Sequence, residues 1–362
     1  MIKVHSSKKP EDTTIVVAMS GGVDSSVTAG LLREEGYKVA GVTLKLFEHE
    51  NAYKAIKDAK AIADLLKIEH HVLNCEDSFK ENVIDNFINT YLKGETPLPC
   101  ARCNKKIKFG ELLNFARESG ADCMATGHYV QRIINENGKA EIHRAEDHIR
   151  DQSYFLFNLT QEQIDFSYFP IGNISKAVTR EHAKRLGLGL EMASKPDSQD
   201  ICFITGGDYA AYLKQNYPDL IKPGKIIHTD GTVLGKHNGI VNYTIGQRRG
   251  LGIGGGHNQN NNPFFVVDIN VEKNEVIVGD YALLARNKVY IRETNWLVEI
   301  PETGLAATLR LRSSQKPQVA TVFKDHVILQ EPSFGVASGQ ACVCYLGEHL
   351  IGGGWISGSE MV

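Results

Sequence analysis

No uninterrupted apolar stretch of this chain approaches the ~20 residues that a membrane-spanning helix needs. The opening MIKVHSSKKPEDTT lacks the apolar core of an export signal, and its acidic residues are foreign to a transit peptide. A cytoplasmic protein with no membrane partner is therefore expected. A basic excess is missing too: 40 Lys and Arg stand against 43 Asp and Glu, for a net charge of −3. That balance argues against a non-specific nucleic-acid binder and leaves RNA contact to local patches. The candidates are RCNKKIK at 102–108, GQRRG at 246–250 and LRLRSSQK at 309–316. Seven cysteines without an export signal read as thiols rather than as a disulfide framework. Fixed-period repeats are also absent, and the Gly/Asn-rich GGGHNQNNNP at 254–263 reads as a mobile loop.

What is present is an alternation. The strand-like runs TIVVAM, YKVAGVTL, HHVLNC and CMATGHY are separated by helical periods such as SSVTAGLLREEG, closed by Gly36. In AYKAIKDAKAIADLLKI, Ile56, Ala59, Ala63 and Leu66 share one face at helical spacing. DSFKENVIDNFINTYLKG and NKKIKFGELLNFARESG read as two further helices. Strands alternating with helices predict an α/β domain with a Rossmann-like parallel sheet. The middle is mixed: NGKAEIHRA reads as the return of a hairpin, and SKAVTREHAKRLGLG and GGDYAAYLKQNYPDL as helices. Beyond about Pro223, short alternating runs are broken by turn signals such as Asp230-Gly231 and Asn238-Gly239. The last segments, ATLRLRS, QVATVF, HVILQ and QACVCYLG, predict a β-barrel or sandwich. The expected organisation is a nucleotide-binding domain over 1–205, a small mixed or β central domain over 206–283 and a C-terminal β-barrel over 284–362.

AMSGGVDSSV follows the first strand directly. Gly21 and Gly22 let the backbone pass close to a ligand, and the amides that open the next helix point outward with the helix dipole behind them. The Ser20, Ser25 and Ser26 hydroxyls are candidates to bond phosphate oxygens, with Asp24 placed to hold a metal or to position the hydroxyls. The loop lacks the Lys-Ser/Thr ending of a Walker A motif and the spacing of a dinucleotide fingerprint. SGGVDSS instead resembles the PP-loop of the ATP pyrophosphatases, which grip the terminal pyrophosphate of ATP and adenylate a substrate. An adenylated oxygen is a leaving group, so a nucleophile must follow: ammonia, an amine or sulfur.

Cysteines decide among these. TPLPCARCNKKIKFGELL puts Cys103 at the predicted start of a helix beside Arg102, Lys105 and Lys106, a setting that lowers a thiol pKa. Cys202 lies in SKPDSQDICFI. A C-x-x-C is also half of a zinc site, but no second pair with zinc spacing follows, since Cys342 and Cys344 alternate on one strand.

Taken with CNKKIKFG, ATGHY, RDQSYFLF, DSQDICFI, VNYTIGQRRGLGI and SGQACVCY, the chain resembles the tRNA-specific 2-thiouridylases over nearly its whole length. The resemblance implies an enzyme that uses ATP to replace O2 of the wobble uridine by sulfur, and ATP chemistry implies Mg²⁺ to neutralise the pyrophosphate leaving group. It implies ATP contacts at Ala18, Met19, Ser20, Gly21, Gly22, Val23, Asp24 and Ser25, with Leu44 and Gly127 beside them. It implies a persulfide on Cys202 and a nucleophilic or resolving thiol on Cys103, the two forming a disulfide once sulfur has left. Contacts to tRNA would fall on Leu98, Pro99, Cys100, His128, Arg150, Asp151, Gln152, Arg312, Ser313 and Gln340. Partners would be tRNAs for Glu, Gln and Lys, and a sulfur donor, either a cysteine desulfurase or a relay protein.

One departure matters. Many family members carry Asn-Pro-Asp where this chain has Leu98-Pro99-Cys100, so no carboxylate stands there and the Cys100 thiol is a candidate for its place. Three cysteines, Cys100, Cys103 and Cys202, also suffice to hold an iron–sulfur cluster with one iron open to sulfide, which is the alternative sulfur route. Two rival readings weigh against thiolation: a PP-loop ligase or amidotransferase, and an RNA-binding protein that uses the loop as a nucleotide sensor without turnover.

Overall fold

The structure, a computed structural model, describes residues 8–189, 201–204, 209–218, 221–253 and 262–362. Most of GGGHNQNNNP and the SKPDSQ part of the segment before Cys202 lie outside the described residues. The chain falls into two compact units, one of Met1–Val83, Cys100–Gln199 and Glu348–Leu350, the other of Ile84–Pro99, Asp200–Gly347 and Ile351–Val362.

In the first unit, strands β1 (Thr14–Ala18), β2 (Lys38–Lys45), β3 (Glu69–Asn74) and β4 (Cys123–Ala125) are joined by crossover connections. After a hairpin of β5 (Val130–Ile134) and β6 (Ala140–Arg144), the short β7 (Ser167–Tyr168) completes a five-stranded sheet of order β3-β2-β1-β4-β7. All its pairings are parallel, as alternating strands and helices require. The first two helices are α1 (Val23–Glu34) and α2 (Glu50–Leu66). Ala59, Ala63 and Leu66 of α2 are buried on the predicted face, and Ala59 and Leu66 share one core with Ile15 and Val17 of β1 and Val27 and Leu32 of α1. A left-handed Lys67, φ 53°, ends α2. The order reverses at β1: β2 and β3 lie on one side, β4 and β7 on the other. In open parallel sheets the ligand crevice lies outside the strands' carboxyl ends at such a switch point.

The two predicted long helices are segmented. Glu76–Phe79 and Asn86–Leu92 flank π-type turns over Lys80–Asp85, and Pro99–Cys103 runs into wide π-type turns over Asn104–Leu112 before Leu113–Glu118. Widened turns of this kind are rare and gather at functional sites.

The second unit holds a four-stranded sheet, β8 (Gly224–His228), β9 (Val233–His237), β10 (Phe265–Asn270) and β11 (Glu275–Gly279), in the order β10-β11-β8-β9. The predicted Asp230-Gly231 turn joins β8 to β9, with Gly231 at φ +91°. The chain continues with β12 (Ala285–Trp296), β13 (Leu305–Arg310), β14 (Gln318–Val322), β15 (His326–Phe334), β16 (Ala341–Leu346) and β17 (His349–Glu360). Their order is β12-β15-β14-β13-β16-β17, and pairing of β12 with β17 closes the barrel and removes free edges. Alternation is visible in β15, where Val327 and Leu329 are buried and Ile328 is exposed. Cys342 and Cys344 face the same core, fully buried.

Candidate active site

β1 ends at Ala18 and α1 starts at Val23, so Met19–Gly22 form the turn at the switch point. Met19 is buried, and its amide donates to the Val42 carbonyl of β2 at 2.8 Å. Gly21 has φ +68°, and a Cβ there would meet the Ala55 carbonyl oxygen of α2 at 2.5 Å. Only glycine satisfies both conditions. Gly22 is the N-cap of α1 and supplies no side-chain cap, which leaves the first-turn amides of Val23, Asp24 and Ser25 without carbonyl partners within the helix. An anion is the partner that such an end favours.

The serines divide their roles differently from expectation. Ser26 is fully buried and donates to the Gly22 carbonyl at 2.8 Å. Ser25 is also buried; its hydroxyl accepts from the Ser20 amide at 3.1 Å and reaches the Ser20 hydroxyl at 3.2 Å and the Gly22 carbonyl at 3.2 Å. These two hydroxyls shape the loop, and Ser20 is the exposed one.

Asp24 is bound within the protein. Lys176 Nζ donates to both carboxylate oxygens at 2.8 Å, and the Tyr129 hydroxyl donates to Oδ1 at 2.9 Å. The Tyr129 hydroxyl also lies 2.9 Å from Thr179 Oγ1. Lys176 opens the helix Lys176–Arg185, capped by Ser175, and is 5% exposed. A cation at the positive end of a helix is unfavourable, and Asp24 offsets it, helped by Asp147, whose carboxylate accepts from the Lys176 amide at 3.1 Å. Sequence reading missed Lys176; the signal was a lysine directly after an N-cap serine.

Leu44 lies within β2, half-buried. Gly127 follows β4, and a Cβ there would meet the Asp24 carbonyl carbon and the Ser25 amide nitrogen, both at 2.8 Å. Its missing side chain thus lets β4 press against the start of α1. His128 beside it is walled by Phe109 and Phe169, at 5.7 and 6.5 Å between ring centroids, with Nδ1 2.8 Å from Thr126 Oγ1. Burial, aided by the Lys108 charge, holds His128 well below the usual histidine range, so the ring is neutral.

Cys103 corrects the sequence reading. The helix begins at Pro99, so Cys103 is its last residue and passes without interruption into the following turns instead of sitting at an exposed amino end. The thiol is buried, and burial pushes it up to about 11, opposed by Lys108 and reinforced by Cys100. Desolvation outweighs the cation, and that cation is Lys108 rather than Lys105 or Lys106. Cys100, three residues earlier on the same helical face, keeps surface exposure, yet its protein surroundings raise it too. Cys75, unassigned by the sequence, is buried after β3; burial, a hydrogen bond with Glu111 and the Cys103 charge take it to about 12. Asn104 next to Cys103 donates to the Phe155 carbonyl at 3.1 Å, and its buried Oδ1 has no hydrogen-bond partner among the described residues. Among the described residues no disulfide is formed. Cys202 is exposed and belongs to the second unit, where Phe203 after it packs edge-on against Phe87.

The residues expected at tRNA are spread over both units. In the first, Asp151 has a fully buried carboxylate that accepts from Arg144 Nε, the Ala145 and Ser153 amides and the Ser153 hydroxyl, so it braces a turn rather than facing solvent. Gln152 exchanges two bonds with the Tyr129 backbone, at 2.9 and 3.0 Å, and so positions the tyrosine that reaches Asp24. Arg150 is half-buried. In the second unit, Arg312 donates to the Phe334 and Gly335 carbonyls and remains exposed beside exposed Ser313. Gln340 donates to the Thr96 and Pro97 carbonyls at 3.3 and 3.1 Å, fastening the segment that leads to Leu98 and Pro99.

Three family models match in succession: a tRNA methyl transferase HUP domain over residues 13–206, a tRNA methyl transferase PRC-barrel domain over 210–280 and an aminomethyltransferase beta-barrel domain over 286–356. The chain is 48% identical to the tRNA-specific 2-thiouridylase MnmA of Rhodospirillum centenum over 98% of this chain and 94% of that protein. It is 48% identical to the MnmA of Rickettsia conorii over 96% of both. Among solved structures, the U34-tRNA thiolase NcsA from Methanococcus maripaludis with its iron–sulfur cluster is similar at 18% identity and TM-score 0.37, over 59% of this chain and 69% of that one. Full-length identity of this order, carried by all three domains, places the chain in the family of tRNA-specific 2-thiouridylases.

Proposed function

We propose that this chain is an ATP-dependent tRNA-uridine 2-sulfurtransferase acting on the wobble uridine. The observation that carries the reading is the glycine loop at the switch point, with its open helix end, in a chain 48% identical to 2-thiouridylases. The α1 amides and Ser20 grip the pyrophosphate end of ATP while uridine O2 attacks the α-phosphorus and pyrophosphate leaves. Magnesium brought with the nucleotide supplies charge neutralisation at that leaving group. Asp24 is not a free ligand for it, since Lys176 and Tyr129 occupy its oxygens.

Sulfur transfer then follows from thiol chemistry. The terminal sulfur of a Cys202 persulfide attacks C2, AMP departs with the former O2, and a Cys202–S–S–C2 linkage remains. The Cys103 thiolate attacks Sγ of Cys202, forming the Cys103–Cys202 disulfide and releasing 2-thiouridine. An external dithiol reduces the disulfide, and a persulfide donor, a cysteine desulfurase or its relay protein, recharges Cys202. Exposure of Cys202 suits the recharging step. Because burial raises Cys103 to about 11, its thiolate is scarce at neutral pH, and Lys108 is the residue that favours it. The domain roles, the tRNAs for Glu, Gln and Lys and a cytoplasmic setting belong to the same proposal.

The test is thiolation of unmodified tRNA with ATP, Mg²⁺ and a persulfide donor, using protein verified free of iron. Formation of 2-thiouridine with release of AMP and pyrophosphate, lost in Cys202→Ser, is expected. Full activity in the Cys103→Ser/Cys202→Ser variant would refute the sulfur route and favour a ligase. Absence of any tRNA-dependent pyrophosphate release would refute adenylation itself.

A further inference from the structure

The hairpin β5–β6 carries a side-chain cluster that the thiolation chemistry does not use. Glu141 and His143 are two residues apart on β6, so both point to one face. His349 lies directly across from His143 in the ladder, and residues 348–350 belong to the same compact unit as the hairpin. Cross-strand neighbours and i, i+2 neighbours on one face bring three side chains together. The two imidazoles are stacked, 5.0 Å between centroids and 15° between planes. His143 Nε2 lies 3.0 Å and His349 Nδ1 3.8 Å from the same carboxylate oxygen, Glu141 Oε2. One ligand atom from each residue lies within 4.8 Å of the other two, and among the described residues no other set of three His, Cys, Asp or Glu is gathered in this way.

The surroundings suit a ligating role. Asn135 Nδ2 donates to Glu141 Oε1 at 2.8 Å, which fixes the carboxylate and leaves Oε2 turned to the histidines. An outer partner of this kind is what orients metal ligands. The three side chains are 20%, 19% and 15% exposed, which leaves a side open for water as a further ligand.

We propose that Glu141, His143 and His349 form a binding site for a first-row divalent cation, Zn²⁺ by the borderline character of the His-His-carboxylate set. The ion staples the hairpin to residues 348–350, outside the nucleotide loop. A hydrogen-bonded Glu-His pair without metal is the competing explanation, and it predicts no binding.

The experiment titrates the full chain with zinc against a chromogenic chelator, and with cobalt for its absorption spectrum. The cysteines are the other zinc ligands available, so a Cys100→Ser/Cys103→Ser/Cys202→Ser variant is titrated alongside. One equivalent bound in both proteins is expected, lost in His143→Ala/His349→Ala and weakened roughly 10–100-fold in Asn135→Ala. The cobalt spectrum of the wild type should lack thiolate charge-transfer bands, a readout that needs no variant to fold. Zinc should raise the melting temperature of the wild type but not that of the double histidine variant. Zinc retained by a folded double variant, thiolate bands in place of nitrogen–oxygen ligation, or no binding below millimolar zinc would overturn the proposal.

Discussion

Replacing Lys176 with methionine tests how the nucleotide loop is held. The ammonium lies 2.8 Å from both Asp24 oxygens. At an effective dielectric of about 20, that separation corresponds to a gross attraction of about 6 kcal/mol. Desolvation of a lysine with a 7% exposed side chain offsets much of it. What remains visible on truncation is the cost of stranding the carboxylate, about 3 kcal/mol, the low end for buried pairs because Asp24 keeps 30% exposure and its Tyr129 bond. If the unit unfolds as one cooperative domain, that cost lowers its melting temperature by roughly 6–12 °C. Asp24→Asn should cost a similar amount, and Lys176→Met/Asp24→Asn less than the sum, with a coupling of about 1.5–3 kcal/mol in a denaturant-based double-mutant cycle. Lys176→Met also leaves a negative charge unneutralised beside the first-turn amides that the proposed function assigns to phosphate, so ATP affinity by equilibrium binding should fall at least ~10-fold and recover in part in the double variant. A coupling below about 0.5 kcal/mol, or unchanged ATP affinity in Lys176→Met, would refute the reasoning.

Three other outcomes follow from the geometry. Alkylation of Cys103, followed by mass spectrometry across pH, should keep rising past pH 9 because burial raises this thiol to about 11, and Lys108→Met should displace the profile further upward; a plateau near neutral pH would contradict the burial argument. Gly127→Ala forces a methyl against two backbone atoms at 2.8 Å, so ATP-dependent pyrophosphate release should be largely lost while stability falls by ~1–3 kcal/mol; full activity would mean that β4 and α1 can separate freely. Gln340→Ala strips two carbonyls of their donor and should cost about 1–2 kcal/mol in urea unfolding, with limited proteolysis appearing in the segment 93–98; unchanged protection would show that the Thr96 amide bond to Ser338 suffices alone.

Local physics explains what was legible. Period-two and helical spacing, turn glycines and a glycine loop that follows a strand are written in a few consecutive residues. Thus β1, the loop and α1, the parallel sheet and the closing barrel could be read from TIVVAM, SGGVDSS and the alternating C-terminal runs, and the order of motifs already resembled one enzyme family. Segmentation of the helices by π-type turns was not legible, because it depends on packing rather than propensity.

By itself, the sequence determined the strand and helix order, the place of the glycine loop between β1 and α1 and which thiols the chain carries. Tertiary structure alone decided how those groups behave. Asp24 finds its cation 152 residues away, and no window of sequence contains both. Cys103 is flanked by basic residues along the chain, yet it is buried, and the loss of solvent outweighs them. Asp151 looks like a surface carboxylate in RDQSYF and is the buried acceptor of a turn. Glu141 and His143 are two residues apart, but it takes a strand some two hundred residues later to set His349 beside them. Charge, proximity and desolvation act through space, and folding sets those distances.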